Sequence, residues 1–479
     1  MRKIFRFGLA TAFTAPVYRH VMRSLLATSA FVPLGFMAVA PTPATAACAV
    51  TGTGTIGALD GGDSVSCTGL NLNQNIQDSG AGSNNITVTI GDGSTPTSLA
   101  PAAGVPILMN NAPGMHLTVT NQGAIVAPAG AIGVWLSGEF NDNARITVNA
   151  GGSISADNTH NPINVVGTAA DAITGFQLFM NGSVSGFTGF TGFYMTDSLI
   201  QVGSGGTVNA VGGIRLDTGS NNNNVVLAQG GLIQQNVGNN GGGIVLRSTA
   251  NNNTVAVGGT INLTGFNTFG IMTFGGATGN QITIQSTGAV LATGTGGYGV
   301  FLGDGGNTVD NSGTIVGANK GIVGSPGTDT VINAGSITGV VGAAIDLAGG
   351  ADSLTLKTGS SINGQINLGT GTDMLIFQGT GTLSSNVAGA EAVIMNGSLW
   401  TMAGNMTGAG TIDVQAGKFV LNGNAGAYDV TVHNGGAFGG TGTSQSLTAN
   451  SGGIIAPGNS IGTVNTGNVT FNAGSIYQV

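Results

Sequence analysis

Asn121-Gln122-Gly123-Ala124-Ile125 returns as Asn149-Ala150-Gly151-Gly152-Ser153-Ile154, as Asn311-Ser312-Gly313-Thr314-Ile315 and as Asn333-Ala334-Gly335-Ser336-Ile337. Each copy is a Gly-containing turn, a small residue and an apolar β-branched residue. Looser copies end at Val184, Val208, Ile233, Ile261, Val290 and Ile362. From Ile125 to Ile362 the motif recurs at intervals of roughly 22 to 30 residues, within the range of 20 to 50 that marks a solenoid. In a solenoid each unit buries its apolar face only against its neighbours.

Between the turns the pattern has period two, as in Arg145-Ile146-Thr147-Val148-Asn149 and Gln281-Ile282-Thr283-Ile284-Gln285. That alternation is the mark of half-buried strands. Helical repeats are excluded by composition: the chain of 479 residues holds 88 Gly, which breaks helices. Only 6% of residues are charged, against about a quarter in ordinary domains, while 41% are apolar. Disordered chains have the opposite balance. The expectation is an all-β, right-handed parallel β-helix with three short strands per repeat. At about 25 residues per coil, residues 75–479 make about 16 coils, and a rise of about 4.8 Å per coil gives a rod of roughly 75–80 Å. The runs Asn221 to Asn224 and Asn251 to Asn253 are offset by one coil and should stack as turn residues.

Outward from the repeats, the termini carry different signals. Positions 1–46 hold Arg2, Lys3, Arg6, Arg19 and Arg23 with no acid, then a largely apolar run from Leu25 to Ala40 and Ala44-Thr45-Ala46. This reads as a signal peptide cleaved after Ala46. The remainder carries six basic residues against 19 acidic ones, a net charge of −13. Such a chain repels phosphate backbones, so nucleic acid is not an expected partner. Cys48 and Cys67 follow the cleavage site. Export would place them in an oxidising compartment, where a disulfide would staple a cap over residues 47–75; two free thiols are the alternative. Residues 76–430 are then the β-helix repeats.

The last residues carry a family likeness. Gly435-Gly436-Ala437-Phe438-Gly439-Gly440-Thr441-Gly442 is followed by Ala456-Pro457-Gly458-Asn459-Ser460-Ile461-Gly462 and by Ala473-Gly474-Ser475-Ile476-Tyr477. This resembles the C-terminal passenger segment of autotransporters, secreted by the type V route. The resemblance implies that 431–479 precedes an autochaperone-like region and an outer-membrane translocator barrel, which would be the export partner. A barrel needs about a dozen alternating strands of about ten residues. These do not occur before Val479, so the expectation is a fragment or a truncated gene product. The resemblance further implies an outer-membrane, cell-surface or extracellular location, and a structural or adhesive role directed at a host surface, an abiotic surface or sister cells.

Chemistry is sparse. Gly62-Asp63-Ser64-Val65 is similar to the nucleophile block of G-D-S-L esterases, but the only late Asp/His pair, Asp429 and His433, has the wrong spacing. His116, His160 and His433 are scattered without ligand spacing. No catalytic residue, cofactor or metal ligand is assigned. Two alternatives remain open. One is a polysaccharide-acting enzyme, which would need acidic and basic residues gathered by stacking. The other is calcium at Asp329, Asp352 and Asp373, which share a Gly-x-Asp-x-apolar frame and fall about one to a coil. Against calcium stands the reading that each Asp hydrogen-bonds its own turn.

Overall fold

The computed structural model describes residues 47–80, 82–138, 141–235, 238–460 and 462–479. The signal-peptide reading of 1–46 lies outside the described residues. The described residues form strands and turns without a helix, in two 23-stranded sheets of almost wholly parallel pairing. The chain is a β-solenoid.

One face shows the stacking. In-register neighbours run Ser64, Thr87, His116, Arg145, Gln177, Leu199, Asn224, Thr254, Gln281, Thr308, Thr330, Ser353, Met374, Ala392, Thr411, Asp429, Ser446 and Asn468. These are eighteen levels, of which the seventeen from Thr87 onward lie within residues 75–479, in line with the expectation there. Coils shorten from the middle of the stack to Ser446 and widen again to 22 residues at the last level, as hydrogen bonds between successive levels show. The step from Asp142 to Thr174 is 32 residues, that from Asp373 to Glu391 is 18, and that from Asp429 to Ser446 is 17. Seventeen steps of about 4.8 Å span roughly 80 Å.

The repeat residues do what their spacing demands. Ile125, Ile154, Val184, Val208, Ile233, Ile261, Val290, Ile315, Ile337 and Ile362 pair consecutively as one column. All but Ile362 are fully buried. Mid-rod coils carry three strands, for example Asn224–Leu227, Leu232–Gln235 and Gly242–Arg247. The turns use left-handed backbone where it is required: Gly151 has φ 78°, and its missing Cβ makes room for the Asn121 carboxamide of the coil below. Asn222 and Asn252 take the same region at φ 57° and 56°.

The core is not aliphatic throughout, as the repeat had implied. Trp400, Phe419 and Phe438 stack in register with Phe377 packed against the first two. Trp400, buried, donates its Nε1–H to the Gln378 carbonyl. In this region the coil narrows and strands lengthen: Ala392–Met402 and Gly410–Leu421 bend through what are separate strands elsewhere.

At the N-terminal end Ala47–Thr51 pairs antiparallel with Ser64–Thr68, opposing Cys48 to Cys67, and the two cysteines are bonded. The parallel column already begins at Ser64, inside the 47–75 cap region. At the other end, residues 431–479 continue the stack rather than forming a separate lobe.

Candidate functional site

Two constellations stand out from the otherwise uniform coils. The first is a polar column inside the solenoid. Asn223 donates its backbone N–H to Asn253 Oδ1 (2.9 Å), Asn253 to Asn280 Oδ1 (2.9 Å), and Asn280 to Asn307 Oδ1 (3.1 Å). Their amide nitrogens donate along the same direction at 3.1 Å. Carboxyls then take over. Asn307 N–H reaches Asp329 Oδ1 (3.0 Å), Asp329 reaches Asp352 (2.7 Å), Asp352 reaches Asp373 (2.8 Å), and Asp373 ends on Glu391 Oε2 (2.8 Å).

Asp329, Asp352 and Asp373 are essentially buried, and the Oδ2 atom of each has no hydrogen-bond partner. An asparagine carries a donor at that position; an ionised aspartate carries a second acceptor. Desolvation therefore dominates, lifting Asp329 to about 7 and Asp352 to about 6. Backbone N–H donors from Asn307 and Asp329 oppose the shift, and neighbouring carboxylates add to it. Asp373 is raised for the same leading reason.

The geometry corrects the reading that each Asp serves its own turn: every Oδ1 serves the coil before it. It also bears on calcium, which takes six to eight oxygens. Here one oxygen per residue is held by an N–H and the other is buried singly. Among the described residues, no group of three or more His, Cys, Asp or Glu side chains converges on a metal position.

The second constellation lies outside. Asp217, nearly fully buried, accepts the Arg247 Nε–H on Oδ2 (2.7 Å), and Arg215 Nε lies 3.4 Å from the same oxygen as a charge contact without a hydrogen bond. Its other oxygen accepts the Thr218 N–H at 2.9 Å. Arg247 lies over Phe274 at 5.9 Å and Arg215 over Phe193 at 5.7 Å. Burial lowers the Arg215 pKa, with Arg247 adding repulsion and Asp217 opposing both. One coil further, Phe269 stacks on Tyr298 at 5.3 Å, with Phe301 edge-on at 5.5 Å. Lys320 follows in the Tyr298 column and pairs with Asp346. Three of the six basic residues after position 46 thus share one face. Sequence reasoning missed it, although Asp217 and Arg247 lie 30 residues apart, one coil.

The remaining motif residues are dispersed. Asp63 clamps the loop over the N-terminal end, accepting N–H bonds from Thr53 (3.0 Å), Gly54 (3.1 Å) and Asp60 (2.7 Å). Ser64 stands fifteen levels, roughly 70 Å, from Asp429, so the esterase-like residues do not meet. His433 faces Asp413 at 3.5 Å, and His160 faces Asp157 at 2.9 Å.

No protein-family model and no curated protein matches the chain.

Proposed function

We propose that the chain is a surface-displayed or secreted structural and adhesive module of the autotransporter-passenger kind, exported with the help of a translocator barrel. The observation that carries this reading is the uninterrupted stack from Ser64 to Asn468. A parallel stack satisfies each backbone group through the neighbouring coils, so a long rod needs few charges and no large globular core. Its outward positions are Thr-rich, as at Thr87, Thr118, Thr147, Thr283 and Thr308. Short hydroxyl side chains suit a rigid, well-hydrated surface presented to other surfaces.

The enzyme alternative has a narrower footing. Glycosidic cleavage uses a pair of carboxyls flanking the bond. On the arginine face Asp217 is nearly fully buried with its oxygens held by Arg247 and Thr218, and Asp346 is paired with Lys320.

A deletion strain tests the proposal. Loss of attachment to abiotic surfaces, host cells or sister cells, restored by the gene in trans, is the expected result. Normal attachment in all three assays, with the chain shown by antibody to reach the surface of the parent strain, would refute it.

A further inference from the structure

Gly212 makes a gap in an outward column, and beside it Gly242 gives room to the Val245 side chain, which covers it. The registers run Thr188 beside Gly212, and Gly242 beside Phe269, then Tyr298. Ile214 beside Ile244 sets Gly212 against Gly242. The atoms nearest to a Cβ on Gly212 would be those of the Thr188 side chain, at 3.2 Å and beyond. Glycine inside a strand weakens the strand, and it often marks a place where a ligand approaches the backbone closely. Here it opens a trough of about 270 Å³ across four coils. Phe187, 41% exposed, and Val211 stand on one side; Arg215, Arg247, Met272 and Phe274 stand on the other.

The arginines are held for recognition. Arg247 is anchored through Nε to Asp217, Arg215 sits 3.4 Å from the same oxygen, and each is backed by a ring. Two cations share one carboxylate, so the pair keeps a net positive charge on a chain that is otherwise acidic. Their outer N–H groups have the fork that carboxylates and sulfates accept in bidentate fashion.

We propose that this trough binds an acidic saccharide chain, with sugar faces against Phe187 and Phe274 and a carboxylate or sulfate on Arg215 and Arg247. Three observations select that class. The trough crosses four coils, which fits a chain rather than a compact small molecule. It lies on the face of a sheet whose backbone groups are already paired, so an extended peptide has no edge to join. Two arginines on residues 47–479, whose net charge is −13, are too few to hold a nucleic acid. The inference deepens the adhesive reading and rests on it.

The test uses the full chain and two probes, oligogalacturonate and the same oligomer as its neutral methyl ester, read by calorimetry. Binding of the acid form, weakened about tenfold or more for the ester, is expected. Arg215→Ala should lose about tenfold, leaving Arg247 to neutralise Asp217. Gly212→Leu, which fills the trough and removes no charge, should abolish binding. Circular dichroism and melting confirm that each variant is folded. Equal binding of acid and ester, unaltered binding by Gly212→Leu, or full competition by millimolar inorganic sulfate would overturn the assignment, as would failure of both oligogalacturonate and a sulfated oligosaccharide to bind. Displayed on cells, variants that adhere like the parent would sink the saccharide site and leave the adhesive reading standing. A parent chain that does not adhere would sink the adhesive reading alone.

Discussion

The backbone N–H of Asn307 donates to Oδ1 of Asp329 across 3.0 Å, and at this rung the inner polar column changes from amides to carboxyls. Below it every rung brings its own donor. Above it the geometry is preserved but the donor is gone, unless the carboxyl keeps its proton.

Stability should therefore fall as pH rises. An acid whose folded pKa is raised favours the folded state while it is protonated. Its contribution is whole below about pH 4, where the unfolded chain is protonated too. It is lost as pH climbs through about 6 for Asp352 and about 7 for Asp329. Asp92 and Asp157 act oppositely, held low by N–H and hydroxyl donors, but they are exposed and matter only in acid. Melting midpoints from pH 4 to 8 should decline, and Asp329→Asn should flatten the decline, gaining roughly 2 to 4 kcal/mol at pH 8. A profile that rises toward pH 8 would contradict the carboxyl geometry.

Calcium at millimolar concentration should leave the melting midpoint at neutral pH unchanged, because among the described residues no set of converging oxygens awaits it. A rise of several degrees, absent in Asp352→Asn, would instead make the column a cation site.

Removing an amide rung should hurt locally. Asn253→Ala takes away the acceptor for the Asn223 N–H and the donor to the Ser220 carbonyl, both buried. The expected cost is about 1–3 kcal/mol. Hydrogen exchange should quicken at Asn223 and neighbouring coils while Thr411–Val432 stays protected.

Ile261→Ala leaves a hole in the aliphatic column between Ile233 and Val290. Such truncations cost about 2–5 kcal/mol. Chemical denaturation should show a lower midpoint, and a change at the exposed Val341 should show none.

Reducing the Cys48–Cys67 bond, which closes a separation of 19 in sequence, should release about 3 kcal/mol of loop constraint. Amide exchange over Ala47–Thr51 should accelerate. Unchanged exchange there would show that the Asp63 clamp alone holds the cap.

How much of this was legible depended on period and residue type. The column from Ile125 to Ile362 repeats one residue class at near-constant spacing, so its register could be read directly. The Asn221 and Asn251 runs were legible for the same reason, and Asn251 N–H does bond Asn221 Oδ1 at 2.8 Å. The single inner column hid because it changes chemistry on the way: Asn253, Asn280 and Asn307 do not resemble Asp329, Asp352 and Asp373 as letters. The coils after Met374 wrap aromatic side chains and are narrower than the period read upstream, so the levels there lie closer together in sequence. Arg215, Asp217 and Arg247 are three ordinary charges until the coil length brings them to one carboxylate.

The shrinking coil has a mechanical meaning. A beam resists bending far more steeply than in proportion to its width. A shaft whose girth falls from 32 residues at Asp142 to 17 at Asp429 is not equally stiff along its length. Sideways load on the broad portion, where the arginine trough lies, would be taken up as flexing in the slender portion, which would act as a spring between stiffer lengths.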